Sequence, residues 1–264
     1  MSRPVRSIAA LAALGLAGPL LALTSSAPAG AATAPYTVTT LHFKINLAGN
    51  KLGDPKTCDI IGDLYTPNNA SPTHRVPAIL TTNGFGGSKD DQAGFGKYFS
   101  SHGYAVLSYS GLGFGGSTCK VTLDDPSTDG QAAKQLISYL GGKAGIAYTD
   151  AKHTTAAPTL QVITRDATDH HGVKEFHDPR VGMIGGSYGG QIQFAAASVD
   201  PRLDTIIPMI TWNDLAYSLG PNNTDQTTGV STATPGAVKL AWGLAFSALG
   251  VVNGVQNVQG DPTR

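Results

Sequence analysis

The sequence predicts an α/β protein built on a mostly parallel sheet with helices on both faces. Three observations carry that prediction: short apolar runs of buried-strand length recur along the chain, stretches of helical spacing separate them, and Gly-rich turns stand at their ends. The 264 residues suffice for one large domain or two small ones. With 41% hydrophobic and 14% charged residues, 33 Gly and 16 Pro, the chain is too apolar for disorder and lacks the period of collagen. Lys plus Arg and Asp plus Glu both number 18, so there is no basic surplus to displace counterions from a phosphate backbone, and no nucleic-acid partner is expected.

The chain opens with Arg3 and Arg6, an apolar run from Ile8 to Leu23 broken by Gly15, Gly18 and Pro19, and a small-residue stretch ending at Ala34. This reads as a secretory signal peptide over 1–34, cleaved after Ala31 or Ala34, each of which ends an A-x-A pattern. The run is too short for a membrane helix, so the mature chain is expected to be extracellular, without membrane attachment, and two charges negative. Cys58 and Cys119 are its two cysteines. An oxidising compartment allows them to bridge, and two separate buried thiols is the alternative. Neither sits in a C-x-x-C or zinc-ligand pattern.

Residues 36–46 (YTVTTLHFKIN) alternate as a half-buried strand does, and 58–65 (CDIIGDLY) follow as a second, giving an antiparallel opening. The run 76–82 (VPAILTT) enters Asn83-Gly84-Phe85-Gly86-Gly87; a helix is expected over 92–101 and a strand over 104–109 (YAVLSY). Lys89-Asp90-Asp91 reads as a solvated helix start, capped by Asp90 or Asp91. Another helix is expected over 129–140 with Asp129 as N-cap, and 142–179 as a polar excursion from the sheet. A buried strand over 180–184 (RVGMI), a helix over 188–198 and a strand over 203–210 (LDTIIPMI) complete the pattern. Beyond Trp212 come a polar loop through Asn222-Asn223-Thr224 and a weakly amphipathic helix over 237–249; 212–264 could begin a cap.

Gly185-Gly186-Ser187-Tyr188-Gly189 matches G-x-S-x-G between a strand and a helix, the setting of a nucleophile elbow. Such a turn presents Ser187 Oγ, and the helix N-terminus offers the Tyr188 N–H to a developing oxyanion. A second donor should come from the loop after an earlier strand, which makes Gly84, Phe85 and Gly86 candidates, the Phe85 N–H first. An ordinary Gly-rich turn is the bland alternative at both places.

Three stretches resemble a known superfamily: Asp63-Leu64-Tyr65-Thr66-Pro67; His102-Gly103-Tyr104-Ala105-Val106 with its Gly113-Phe114-Gly115-Gly116-Ser117 turn; and, most specifically, the run from Asp178 to Gly190 (DPRVGMIGGSYGG). The chain resembles the α/β-hydrolases over roughly 41–213, and more closely the X-prolyl dipeptidyl-peptidase and cocaine esterase-like group. The resemblance implies Ser187 as nucleophile, the Tyr188 amide as oxyanion donor, no cofactor, and a peptide or ester substrate. It also implies a triad running Ser, then acid, then His along the chain. All seven histidines (42, 74, 102, 153, 170, 171, 177) precede Ser187, and none of Asp200, Asp204, Asp214 and Asp225 is assigned as the acid. The expectation is therefore an incomplete catalytic domain over 35–264, ending before the last strands and the triad acid and base.

Other patterns are set aside. Gly111-Leu112-Gly113-Phe114-Gly115-Gly116 matches G-x-G-x-x-G, but no helix opens after it and no acidic residue ends a following strand, so it reads as a turn near the active-site edge. Asp169, His170, His171, Glu175, His177 and Asp178 are dense in ligand types yet fit no metal template and read as a solvated excursion, so no metal is expected. Trp212, Asn213 and Tyr217 follow the last strand at the edge where α/β sheets bind ligands and are expected to line an acyl or proline pocket; for Trp212, packing under a cap is the alternative. Two further readings stand beside a secreted serine hydrolase: a non-catalytic binding protein on the same fold, and a metal-dependent hydrolase using the 170–178 cluster. The oligomeric state is left open.

Overall fold

The computed structural model describes residues 33–48, 56–219 and 239–257. The chain divides into Met1–Thr33 and Ala34–Arg264, and every element below belongs to the second unit. The expected leader as far as residue 32, the Asn222-Asn223-Thr224 loop and Asp225 lie outside the described residues.

β1 (Tyr36–Leu47) and β2 (Lys56–Pro67) form the expected antiparallel pair, with Phe43 opposite Ile60 and Val38 opposite Tyr65. β3 (Ala78–Thr82), β4 (Ala105–Tyr109), β6 (Val181–Gly186) and β7 (Thr205–Met209) are short, and β5 (Ala147–Tyr148) is a two-residue edge. The sheet order is β5-β1-β2-β4-β3-β6-β7. β3 runs parallel to β4 and β6, and β6 to β7, while β2 is antiparallel to both β1 and β4. All strands but β2 and β5 therefore point one way, which is the mostly parallel sheet of an α/β-hydrolase-type fold.

Side-chain alternation decides which helix covers which face. Tyr139 of α2 (Gln131–Leu140) packs edge-on to Phe43, with ring centroids 5.1 Å apart. Gly96 of α1 (Ala93–Ser101) lies against the Tyr65 ring, where a Cβ would stand 2.6 Å from a ring carbon. Ile60, the cross-strand partner of Phe43, and Tyr65 differ by an odd number of positions on β2, so α1 and α2 lie on opposite faces. The main core is on the α2 side: Phe43, Ile45, Ile60, Leu80, Leu107, Leu136, Ile137 and Leu140 are fully buried there, together with Ile192 and Ala196 of α3 (Tyr188–Val199). Each such aliphatic side chain contributes roughly 2 kcal/mol of burial.

Three expectations need correction. The α2 helix starts at Gln131 with Gly130 at its N-cap position, so Asp129 is no cap. It belongs to a π-helical turn, Pro126–Gly130, which is capped instead by Asp125 through Ser127 N–H. Pro126 sets the start of that turn, and burial of Asp129 against Tyr188 outweighs its capping propensity. The Lys89–Gln92 turn is capped by Ser88, with Asp91 accepting the Ser88 N–H in return. It is not fully solvated: Lys89 Nζ lies 2.7 Å from the buried Asp63. Desolvation opposes the Lys89 charge, and hydrogen bonds to Asp63 and Asp90 outweigh it, so its pKa is raised.

The excursion over 142–179 is also tied down more than its polarity implies. It supplies β5, bridges Val76 through Ile163, and places His153 Nε2 2.8 Å from Asp59 Oδ1 while His42 Nδ1 holds Oδ2 at 2.8 Å. Cys58 and Cys119 form a disulfide, with Cα atoms 5.7 Å apart, that fastens the 110–125 loop to β2. The expected helix over 237–249 is α5, Leu240–Asn257, and α4 (Leu215–Leu219) follows β7.

Candidate active site

The β6 to α3 turn is as tight as its composition demands. Ser187 has φ 57° and ψ −121°, a region that side chains other than Gly adopt at a cost of roughly 1–3 kcal/mol. Gly185 and Gly190 are steric requirements: a Cβ on Gly185 would stand 2.6 Å from the Gly189 carbonyl oxygen, and one on Gly190 2.8 Å from that of Met209. A Cβ on Gly189 would overlap the Thr82 carbonyl. Ser187 N–H donates to Met209 O at 3.0 Å, while Gly190 N–H and Gln191 N–H donate back to Ser187 O. Gln193, fully buried, donates to Gly189 O and accepts from Ile207 N–H, locking α3 to β7. Tyr188 opens α3, so its amide is among those without an intrahelical acceptor.

The loop after β3 meets this turn. A Cβ on Gly84 would lie 3.8 Å from Ser187 Cβ, in ordinary contact. Gly87 N–H donates to Gly84 O at 3.1 Å and Gly86 has φ 82°, the signature of a type II turn with Phe85 at its second position. That turn bond leaves the Phe85 N–H out of it. Asn83, fully buried, braces the loop: it donates to Gly84 O at 2.7 Å and accepts Gly111 N–H at 2.9 Å.

Around these two turns stands an aromatic wall. Phe85 meets Phe114 at 5.4 Å, Tyr188 at 6.2 Å and Phe246 of α5 at 5.5 Å between centroids. Val121 and the half-buried Trp212 pack on the same cluster. Gly111–Gly116 is thus the turn that seats Phe114, with Gly113, Gly115 and Gly116 at positive φ. Of the expected pocket residues, Trp212 joins the wall, Asn213 is exposed, and Tyr217 is half-buried in α4, its N–H on Asp214.

Behind Tyr188 lie two buried carboxyls. Asp129 Oδ2 accepts Thr122 Oγ1–H and lies 3.4 Å from the Tyr188 hydroxyl. Burial pushes Asp129 up to about 6, against those two hydrogen bonds. Burial, with the Asp129 charge added, pushes Asp124 up to about 9. Burial likewise drives the Tyr188 phenol well above its ordinary range. Sequence reading used Tyr188 only for its amide and missed Asp124, Asp129, Asn83 and Phe114. The Asn-Gly at the end of a strand and the paired Asp124-Asp125 were the available signals.

The histidines are engaged elsewhere: His42 and His153 on Asp59, His102 on Tyr98 O, His170 3.3 Å from Asp204, and His177 on Gly141 O. His74 sits in a turn with Ser71, and His171 is exposed. The 169–178 ligand types are dispersed, Asp169 accepting loop amides and Asp178 buried. Among the described residues no three His, Cys, Asp or Glu side chains converge on a metal position. An apolar groove of about 390 Å³, lined by Ile79, Phe99, Tyr104, Ile184 and Ile207, includes no residue of the 84–87 or 185–189 turns.

Two solved structures match the chain at low identity. A hypothetical protein from Pseudomonas aeruginosa matches with a TM-score of 0.48 and 18% identity, over 84% of this chain and 54% of that one. The α/β hydrolase GrgF from Penicillium sp. matches with a TM-score of 0.44 and 19% identity, over 68% of this chain and 48% of that one. The chain thus spans about half the length of each. No curated protein sequence matches it. Residues 58–237, more than half of the chain and including both turns of the site, match the X-Pro dipeptidyl-peptidase family (S15 family), and the chain belongs to that family.

Proposed function

We propose that this chain is a secreted serine hydrolase acting on peptide bonds of the X-prolyl type or on esters. The observation that carries the reading is Ser187 at positive φ at the mouth of α3, in a turn where Gly185, Gly189 and Gly190 are sterically required. In this reading Ser187 Oγ attacks the substrate carbonyl carbon and its proton passes to a general base. The Tyr188 and Phe85 amides, with Gly84 and Gly86 keeping the approach open, receive the oxyanion. Collapse of the tetrahedral species expels the amine or alcohol and leaves an acyl-Ser187, which water hydrolyses. The wall of Phe85, Phe114, Phe246 and Trp212 carries no charge and suits an apolar acyl group or a proline ring. Family membership and the strand-turn-helix setting support this; the basic-apolar-small pattern of 1–34 and the disulfide support export.

The positions of the histidines favour a second reading. The side-chain partners found for them lie away from Ser187, as in a binding protein that keeps the fold without a base. Intact-protein mass spectrometry after a fluorophosphonate probe separates the two. A single adduct on the wild type, absent from Ser187→Ala, is expected for the hydrolase. A folded protein that takes no adduct supports a chain without a base of its own, and an adduct that survives Ser187→Ala overturns Ser187 as the nucleophile.

A further inference from the structure

The chemistry proposed above uses the Tyr188 amide and leaves its side chain without a role. That side chain is 2% exposed, with its ring beside Phe85 and Phe114, which also meet each other, and its hydroxyl in a polar cluster. Asp124 N–H donates to the hydroxyl oxygen at 3.2 Å, and the hydroxyl faces Asp129 Oδ2 at 3.4 Å. The same Oδ2 accepts Thr122 Oγ1–H, and Thr122 Oγ1 lies 2.6 Å from Thr128 Oγ1 in the π-helical turn. That turn presses on α3 from the other side, where a Cβ on Gly130 would stand 2.9 Å from Ala195 O. Leu123 and Asp124 both have positive φ, 53° and 62°, a strained route that brings the Asp124 amide onto Tyr188. Asp124 itself is 5% exposed, and neither carboxyl oxygen has a partner.

We infer that Asp129 is a positioning residue for the elbow: its carboxylate holds the Tyr188 hydroxyl, which sets the first turn of α3 and with it the Tyr188 amide and Ser187. The inference rests on Ser187 being the nucleophile. The lever is short, because hydroxyl, ring and amide belong to one residue and the ring is buried against Phe85 and Phe114. The groups facing Asp129 are Asp124, Asp125, Tyr109 and Tyr188. Asp124, pushed up to about 9, is neutral at pH 7, whereas Asp129, pushed up to about 6, is ionised there. Below about pH 6 the charge-assisted bond to Tyr188 becomes a weaker neutral one. The elbow should then lose its fixed geometry while the aromatic wall stays in place.

The test follows fluorophosphonate adduct formation at Ser187 against probe concentration and pH, in the wild type, Asp129→Asn and Tyr188→Phe. Each variant is expected to lower the limiting rate by about tenfold or more, leave the half-saturating probe concentration unchanged, and remove the change in rate near pH 6. The double variant should be no slower than either single one. Should Asp129→Asn fail to fold, Tyr188→Phe carries the comparison. A labelled wild type with both variants matching its rate and pH profile overturns the inference and leaves the nucleophile standing. So does a slower variant with an unchanged pH profile, which would make Asp129 merely structural. A folded wild type that is never labelled removes the nucleophile, and the inference with it.

Discussion

A Cβ on Gly185 would stand 2.6 Å from the carbonyl oxygen of Gly189, so the last glycine of G-x-S-x-G excludes a side chain from the first, while the Thr82 carbonyl excludes one from Gly189. Gly186 differs: its added Cβ would meet Ile210 at 3.4 Å, ordinary contact. Gly185→Ala and Gly189→Ala should each lower stability by about 1–3 kcal/mol, whereas Gly186→Ala should change it by less than about 0.5 kcal/mol. Urea midpoints at constant slope would check this. Equal losses at all three positions would mean that helix and strand are not held this close.

The disulfide joins residues 61 positions apart and anchors the loop that carries Phe114, Thr122 and Asp124. Closing a loop of that length restricts the unfolded chain, and removing the bridge as Cys58→Ser with Cys119→Ser should cost about 4 kcal/mol. Urea unfolding with and without reductant measures it. The wild type in reductant should match the oxidised wild type minus that amount, and a variant as stable as the oxidised protein would contradict the expectation.

Asp124 makes stability depend on pH in a direction opposite to that of a salt-bridged carboxylate. Burial raises its pKa from 3.8 to about 9, so the folded state binds the proton more tightly than the unfolded chain. Its stabilisation is complete below about pH 4 and is lost as the pH rises through about 9. Asp124→Asn has no proton to lose. Relative to wild type, its stability should grow by roughly 4 kcal/mol between pH 3.8 and pH 7. Denaturant titrations across that range read the slope; parallel curves for the two proteins would place the Asp124 carboxyl in water.

What the sequence made legible is what depends on neighbours along the chain. Alternation is borne out in β1 from Leu41 to Leu47, while 37–40 are exposed on both faces, and Gly185 marked a tight turn because the clash it avoids, with Gly189, is local. The cluster behind Tyr188 was not legible. Asp129 looks like a helix cap in sequence, and only the fold brings it, 59 residues away in the chain, to the Tyr188 hydroxyl. Lys89 likewise resembles a solvated residue until Asp63 of β2 is beside it. The two imidazoles on Asp59 come from β1 and from a loop 94 residues beyond Asp59, a pairing that no local pattern encodes.

Ser187 itself offers the last prediction, because its backbone strain and its hydroxyl can be removed separately. With φ 57° and ψ −121°, any residue with a Cβ is strained there, and alanine retains that strain while losing the hydroxyl. Glycine loses both, at an entropic cost of roughly 0.5–1 kcal/mol in the unfolded chain. Ser187→Gly should therefore be more stable than Ser187→Ala by about 1 kcal/mol, seen as a higher melting temperature, and neither variant should take the fluorophosphonate label. If the two melt together, the turn holds no strain that a Cβ causes. If Ser187→Gly is the more stable, a Cβ at this position costs the fold stability, as expected of a strained turn that carries the proposed nucleophile.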